Sequence, residues 1–290
     1  MQTPRTAFWR GAIAALERLP QGGLSRLAGR LADIPIPRPM RRPVLSAFAK
    51  AVGANLREAE LPLEEYSSLD AFFVRRLRAG VRPWRADPSG AGSPVDGVVG
   101  QLGGISRGRV VQAKGIDYSA EELLDDAALA ERLEGGTFVT LYLAPRHYHR
   151  IHAPCPGRIV AARHVPGALF PVNAAAVASV PELFARNERL VCHFETDFGP
   201  MAVVMVGALL VSGVETVWSG EEIPAYGDRI TSRAWTGEDI VLERFEEMAR
   251  FNYGSTVVVL LPPGVAALEP GLGAESPVRL GQALARRTGA

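Results

Sequence analysis

The chain has 290 residues, 47% of them apolar and 22% charged, with a formal net charge of +1. That length and apolar share can bury a core, which excludes wholesale disorder. With only two cysteines, Cys155 and Cys192, a disulfide framework is not expected and a reducing compartment is the easier reading.

The charge is unevenly placed. Residues 1–50 hold nine basic and two acidic groups, a surplus of seven positive charges, so the remaining residues carry a surplus of six negative ones. A basic front on an acidic body points to an anionic partner, either a membrane surface or a nucleic acid. No run approaches the ~18 apolar residues of a membrane-crossing helix. Arg10, Glu17 and Arg18 interrupt what would be the apolar centre of a signal peptide.

In chain order, residues 1–80 read as helical. Phe8, Ala12, Ile13, Leu16 and Leu19 share one helical face, and Leu24, Leu27 and Leu31 repeat the pattern with Arg26 and Arg30 off the stripe. Such helices can simply pack on a body. They can equally lie in a membrane interface, apolar face in lipid and arginines at anionic headgroups. A proline-rich break follows at residues 34–39. Ser67-Ser68-Leu69-Asp70 opens a helix expected to run through Leu69, Phe72, Phe73 and Leu77 and to stop at Gly80.

From about residue 94 the texture changes to short apolar or alternating runs punctuated by Gly and Pro. Strands are expected at 98–102, 109–114, 138–143, 158–164, 190–195, 201–214, 240–243 and 256–261. One helix is expected over 119–133, opened by Ser119. Strands in runs favour an α+β fold, with N-terminal amphipathic helices packed on an antiparallel β-rich domain. The expected division is 1–85, helical and suited to a membrane surface, and 86–290, β-rich. No Walker A loop and no GxGxxG after a strand occurs.

Three features can carry chemistry. His147, His149 and His152 crowd into Arg146-His147-Tyr148-His149-Arg150-Ile151-His152. On a strand, His147 and His149 share a face and His152 does not; on a helix, His149 and His152 do. A metal site, acid–base catalysis and a structural role all remain open. Gly254-Ser255-Thr256 precedes a β-branched strand. It reads as a turn, or as a hydroxyl able to attack the preceding carbonyl, since Gly254 has no Cβ to hinder it. Asp96-Gly97 reads as a turn before a strand, or as an aspartate able to orient a histidine.

Together these motifs resemble the phosphatidylserine decarboxylases in their longer, bacterial and mitochondrial form. The resemblance rests on Phe72-Phe73-Val74-Arg75 through Val81-Arg82-Pro83, on Pro94-Val95-Asp96-Gly97 and on Tyr142 to His152. It continues in Val165 to Asn173, Leu183 to Arg189, Val214 to Trp218 and Gly254-Ser255-Thr256. Tyr253 and Ala249 depart from the family's usual Leu and Gly. The resemblance implies self-cleavage between Gly254 and Ser255 by a triad of Asp96, His152 and Ser255. Ser255 would become a covalent pyruvoyl group that forms a Schiff base with phosphatidylserine, and His149 would transfer a proton as CO2 leaves. The products of cleavage would be a β chain, 1–254, and an α chain, 255–290. Phe170, Val172 and Asn173 would line the substrate site, with no metal required.

The implied partners are phosphatidylserine in an anionic membrane and the two chains of one proenzyme, with room for a homodimer of processed units and no nucleic acid. The implied location is peripheral, on the cytoplasmic face of the inner membrane. Rival readings are a metal-dependent β-barrel enzyme using His147, His149 and His152, a serine hydrolase, and a non-enzymatic lipid-binding relative.

Overall fold

The computed structural model describes residues 21–288 except 88, 114, 210–212, 224–228, 236, 238, 252–255 and 265. The apolar face expected over residues 8–19 and the Gly254-Ser255 bond lie outside the described residues.

Thr256–Leu261, a run of β-branched and leucine residues, forms the middle of a nine-stranded antiparallel sheet. It pairs with Thr137–Tyr142 on one edge and Gly199–Val206 on the other. Outward from these lie Gly97–Gly104 and Pro277–Val278 on one side. On the other lie Arg189–Thr196, Gly157–Val165 and then Thr231–Ala234, with Val241–Leu242 also on Gly157–Val165. Every residue of the central strand is buried. A strand covered on both faces reads as an unbroken apolar run rather than an alternating one.

Each face has its own apolar core. Val257, Val259, Leu141, Met205 and Cys192 build one; Val258, Leu260, Phe138, Val204 and Val191 build the other with the short helices Ala120–Leu124, Ala127–Leu133 and Leu183–Arg186. This is the period-two alternation of a strand applied at every neighbour. Both cysteines are free and buried, and burial pushes the Cys155 thiol up to about 12. A second, four-stranded antiparallel sheet places Glu247–Phe251 between Val214–Thr216 and Arg150–His152, with Gly220–Ile223 at its edge.

The helical lead is Gln21–Ala32 and Arg38–Val52, followed by Leu69–Phe73. Leu45, Ala49, Tyr66 and Phe72 form its separate apolar cluster. No helix among the described residues is long and apolar enough to cross a membrane.

Three expectations are corrected. The helix opened by Ser68, whose Oγ accepts from the Ala71 amide at 3.0 Å, ends at Phe73 instead of continuing past Leu77. The chain beyond it pairs instead with residues 58–60, through Arg78 N–H to the Glu58 carbonyl and Glu60 N–H to the Arg76 carbonyl, both 2.9 Å. The single helix over 119–133 is two, because Asp125 is left-handed (φ +50°) and Asp126 caps the second through the Leu129 amide. The strand expected over 201–214 stops at Val206, and a new one begins at Val214.

Leu260 is fully buried in the second core. Leu260→Ala is expected to cost about 3 kcal/mol, the lost burial plus the cavity left behind. Urea unfolding on a Ser255→Ala background, where the chain is expected to stay whole, measures it. A loss under about 1 kcal/mol would mean that this face relaxes freely.

Candidate active site

The sheet register lines up one end of the molecule. Val165, Arg189, Val206, Thr256, Tyr142 and Val98 face one another in a row across six strands. Beyond this row lie Asp96-Gly97, the loop from residue 143 to the histidines, and the loop from residue 166 to 188. Gly97 is required there: a Cβ on it would sit 2.7 Å from the Tyr142 carbonyl oxygen. Gly167 is similar, since a Cβ would lie 2.4 Å from the Arg186 carbonyl oxygen.

The segment 252–255 is bracketed by fixed points. The Phe251 amide donates to the His149 carbonyl at 3.1 Å. Thr256 is paired on both sides, with Tyr142 and Val206. The chain thus enters this segment from the histidine motif and leaves it into the central strand. The His152 amide donates to the Pro94 carbonyl at 2.9 Å, joining the histidine motif to the Asp96 motif.

His149 is fully buried, its ring stacked on Phe73 with centroids 3.9 Å apart. Nδ1 lies 2.9 Å from the His147 carbonyl. A carbonyl can only accept, so Nδ1 carries the proton and Nε2 holds the lone pair. Nε2 is buried with no partner among the described residues. Burial first, and the Arg75 charge second, push His149 down to about 3. His147 sits at about 4, lowered by burial and Arg146, and its Nδ1 accepts from the Ala144 amide at 3.0 Å.

His152 is held at both nitrogens. Nδ1 donates to the Phe245 carbonyl at 2.7 Å, and Nε2 meets the Tyr148 hydroxyl at 3.0 Å. Phe245 has φ +70°, an uncommon state for an aromatic residue, and its ring packs on those of His152 and Trp84. Burial lowers the His152 pKa.

The Asp96–His152 hydrogen bond expected from a triad is not made in this structure. Asp96 takes a fork from Arg82, Nε to Oδ1 at 2.8 Å and Nη2 to Oδ2 at 2.6 Å, and accepts the Leu280 amide at 2.9 Å. A buried carboxylate takes the partner that best matches its charge and geometry, and here that is a guanidinium. The tautomer of His152 is set instead by a main-chain carbonyl.

The Nδ1 atoms of the three histidines face three different main-chain groups. No cluster of three or more His, Cys, Asp or Glu side chains occurs among the described residues.

Of the expected substrate residues, Val172 lines a cavity of about 340 Å3. Its walls include Val98, Val99, Tyr142, Val177, Phe184 and Thr256, the residue after Ser255. Thr256 places a buried hydroxyl with no partner among the described residues in these walls. Phe170 is packed in the core under the Arg186 guanidinium, and Asn173 caps the turn Ala174–Val177 through the Ala176 amide. Asn187 ties the loop down, accepting from the Phe170 amide and donating to the Phe170 and Gly207 carbonyls.

Sequence reasoning missed Phe73, Arg82 and Phe245 as parts of this site. Val81-Arg82-Pro83 reads as loop, and a main-chain carbonyl such as that of Phe245 has no side-chain signature.

His149 makes the fold acid-sensitive. Unfolded, its imidazole gains a proton near pH 6.5; folded, only near 3. Between these values the unfolded state binds more protons, so stability falls as pH falls. About 2 kcal/mol should be lost between pH 6.5 and 4.5 on this account, and His149→Gln should flatten that slope in urea titrations. An unchanged slope would assign the acid sensitivity to other groups.

The family model described as phosphatidylserine decarboxylase matches residues 69–286. The phosphatidylserine decarboxylase proenzymes of Xanthomonas oryzae pv. oryzae (strain MAFF 311018) and Xanthomonas campestris pv. campestris (strain B100) are each 57% identical to this chain over 270 residues, which is 93% of this chain and 95% of theirs. That of Xylella fastidiosa (strain M23) is 56% identical over 270 residues, 93% of this chain and 92% of its own.

Proposed function

Because the chain belongs to the phosphatidylserine decarboxylase family, it is an enzyme that removes CO2 from phosphatidylserine, and we propose that Asp96, His149, His152 and Ser255 carry its chemistry. The observation that carries the assignment of residues is the bracketing of 252–255 between the His149 main chain and the doubly paired Thr256.

The chain acts first on itself. His152 Nε2 is the basic atom, since Nδ1 is committed to the Phe245 carbonyl. To take the Ser255 proton, Nε2 exchanges the Tyr148 hydroxyl for that of Ser255. Asp96 stabilises the imidazolium that forms, through space. The Ser255 oxygen adds to the Gly254 carbonyl carbon as the Gly254–Ser255 C–N bond breaks, and the proton goes to the departing amine. The ester left behind opens by elimination: a base takes the Cα proton of residue 255 and the Gly254 carboxylate leaves. The dehydroalanine so formed tautomerises, takes up water and loses ammonia, giving a chain ending at Gly254 and one that begins with a ketone at residue 255.

Three features of the described residues fit a reactive carbonyl at that position. The adjoining strand is held on both edges, His149 offers a buried Nε2 without a partner, and the neighbouring cavity is mostly apolar with the unpartnered Thr256 hydroxyl. A pyruvoyl group there supplies an electron sink for the pair released with CO2. His149 moves the proton: neutral in the folded protein, its Nε2 first takes one up from the substrate ammonium, and the imidazolium so formed, buried beside Arg75, releases it readily. The cavity beside Val172 and Thr256 excludes water and takes apolar parts of the lipid.

Membrane contact belongs to the helical lead. Leu27, Leu31, Ile34 and Met40 are each more than half exposed, beside the exposed Arg30 and Arg38. Exposed apolar residues beside cations suit the surface of an anionic membrane. The protein is read as peripheral, on the cytoplasmic face of the inner membrane, with two processed units free to pair.

The test is an intact denatured mass beside a Ser255→Ala control. Two pieces ending at 254 and starting at 255, the smaller blocked at its N-terminus and reactive to hydroxylamine, are expected only in wild type. One uncut 31.1 kDa chain in both samples would overturn the reading. Changing Leu27, Leu31, Ile34 and Met40 together to Ser should weaken binding to anionic vesicles at least tenfold; unchanged sedimentation with vesicles would move the membrane contact elsewhere.

A further inference from the structure

We propose that Arg82 is a positioning residue for self-cleavage, which fixes the orientation of Asp96 and ties it through Glu58 to the chain between the helical lead and the catalytic body. The inference rests on the reading of Asp96 given above.

Arg82 reaches both Asp96 oxygens, with Nε 2.8 Å from Oδ1 and 3.2 Å from Oδ2, and Nη2 2.6 Å from Oδ2. The same Nη2 donates to Glu58 Oε2 at 2.7 Å, and Nη1 to the Val81 carbonyl at 3.2 Å. The side chains of Arg82, Asp96 and Glu58 are 7%, 9% and 20% exposed. A planar fork with this many bonds fixes the plane of the carboxylate as well as its charge, which a lysine ammonium does not do.

Glu58 is itself anchored, because its main chain pairs with residues 76–78. Arg75, the residue just before that segment, donates to the carbonyls of Arg146 and His147 at the base of the histidine motif. The Asp96 carboxylate is thereby held partly from outside the catalytic body, by residues that precede it in the chain, and partly by the Leu280 amide within it. A cavity of about 230 Å3 opens over the cluster, lined also by His147 and Tyr148, so Asp96 has space to turn once Arg82 releases it.

Arg82 also sets how strongly Asp96 acts on His152. The charged and titratable groups around His152 are Glu247, Arg150, Asp96 and Tyr148. Asp96 favours the imidazolium, and Arg82 offsets part of that charge. Losing Asp96 and losing Arg82 therefore move the titration of His152 in opposite directions. A purely structural role for Arg82 does not generate such a pair of shifts.

The experiment follows disappearance of the uncut full-length chain after cell-free synthesis, from pH 5 to 8.5, for wild type, Arg82→Gln, Arg82→Lys, Glu58→Gln and Asp96→Asn. Arg82→Gln should slow cleavage at least tenfold and move the acid limb of the profile to higher pH. Arg82→Lys should recover part of the rate, and Asp96→Asn should slow cleavage with the acid limb at lower pH. If Arg82→Gln does not fold, Arg82→Lys and Glu58→Gln carry the test, each expected to slow cleavage about two- to fivefold. Wild-type rates and an unmoved acid limb in every Arg82 and Glu58 variant that folds, with Asp96→Asn slow, would overturn the role of Arg82 alone. A wild-type rate in Asp96→Asn would overturn the role of Asp96, and that of Arg82 with it.

Discussion

The double pairing of Thr256–Leu261 is the constraint on which the rest depends. A self-cleaving chain must hold its scissile bond still and then keep the new end in place. A central strand does both. The pairing with Thr137–Tyr142 and Gly199–Val206 consists of main-chain bonds buried between two apolar cores, so it does not depend on the peptide bond that precedes it. The side chains proposed to work on that bond are then supplied by loops at the same end of the sheet.

Those loops are fixed by contacts that cross the expected boundary at residue 85. Phe73 covers the His149 ring, Arg75 and Arg150 bond carbonyls across the junction, and Arg82 grips Asp96. The last segment of the helical lead forms one wall of the histidine motif. Burial by this wall keeps His149 neutral, and neutrality leaves its Nε2 free to exchange a proton.

Much of this was legible in the sequence, for physical reasons. The run Thr256-Val257-Val258-Val259-Leu260-Leu261 admits little but a buried strand, and Asp96-Gly97 reads as the entry to a strand, which Gly97 begins. Ser68 and Ser119 signalled helix starts, and both make the capping bonds. The misses share one cause, that tertiary contacts decided what local preference left open. Arg150–His152 and Glu247–Phe251 are strands because they pair with each other, though neither has a strand-like composition. Asp125 breaks a helix by adopting a left-handed state that its neighbours do not announce. The partner of Asp96 was hidden because the expected one, His152, finds a nearer acceptor in the Phe245 carbonyl.

The C-terminal segment enters more than one sheet. Thr256–Leu261 is the middle of the nine-stranded sheet, Pro277–Val278 its edge, and Ala266–Leu268 and Ala283–Arg287 belong to a separate three-stranded one. Cutting before residue 255 turns these intramolecular pairings into a complex of two polypeptides whose sheets are shared. Their mutual attraction, formerly first-order in chain concentration, becomes second-order on unfolding. The mature enzyme is then a structure assembled once, from a continuous chain, and retained by slow dissociation. Denaturation separates the 36-residue piece from its template, and the route that folded the precursor is no longer open to the parts.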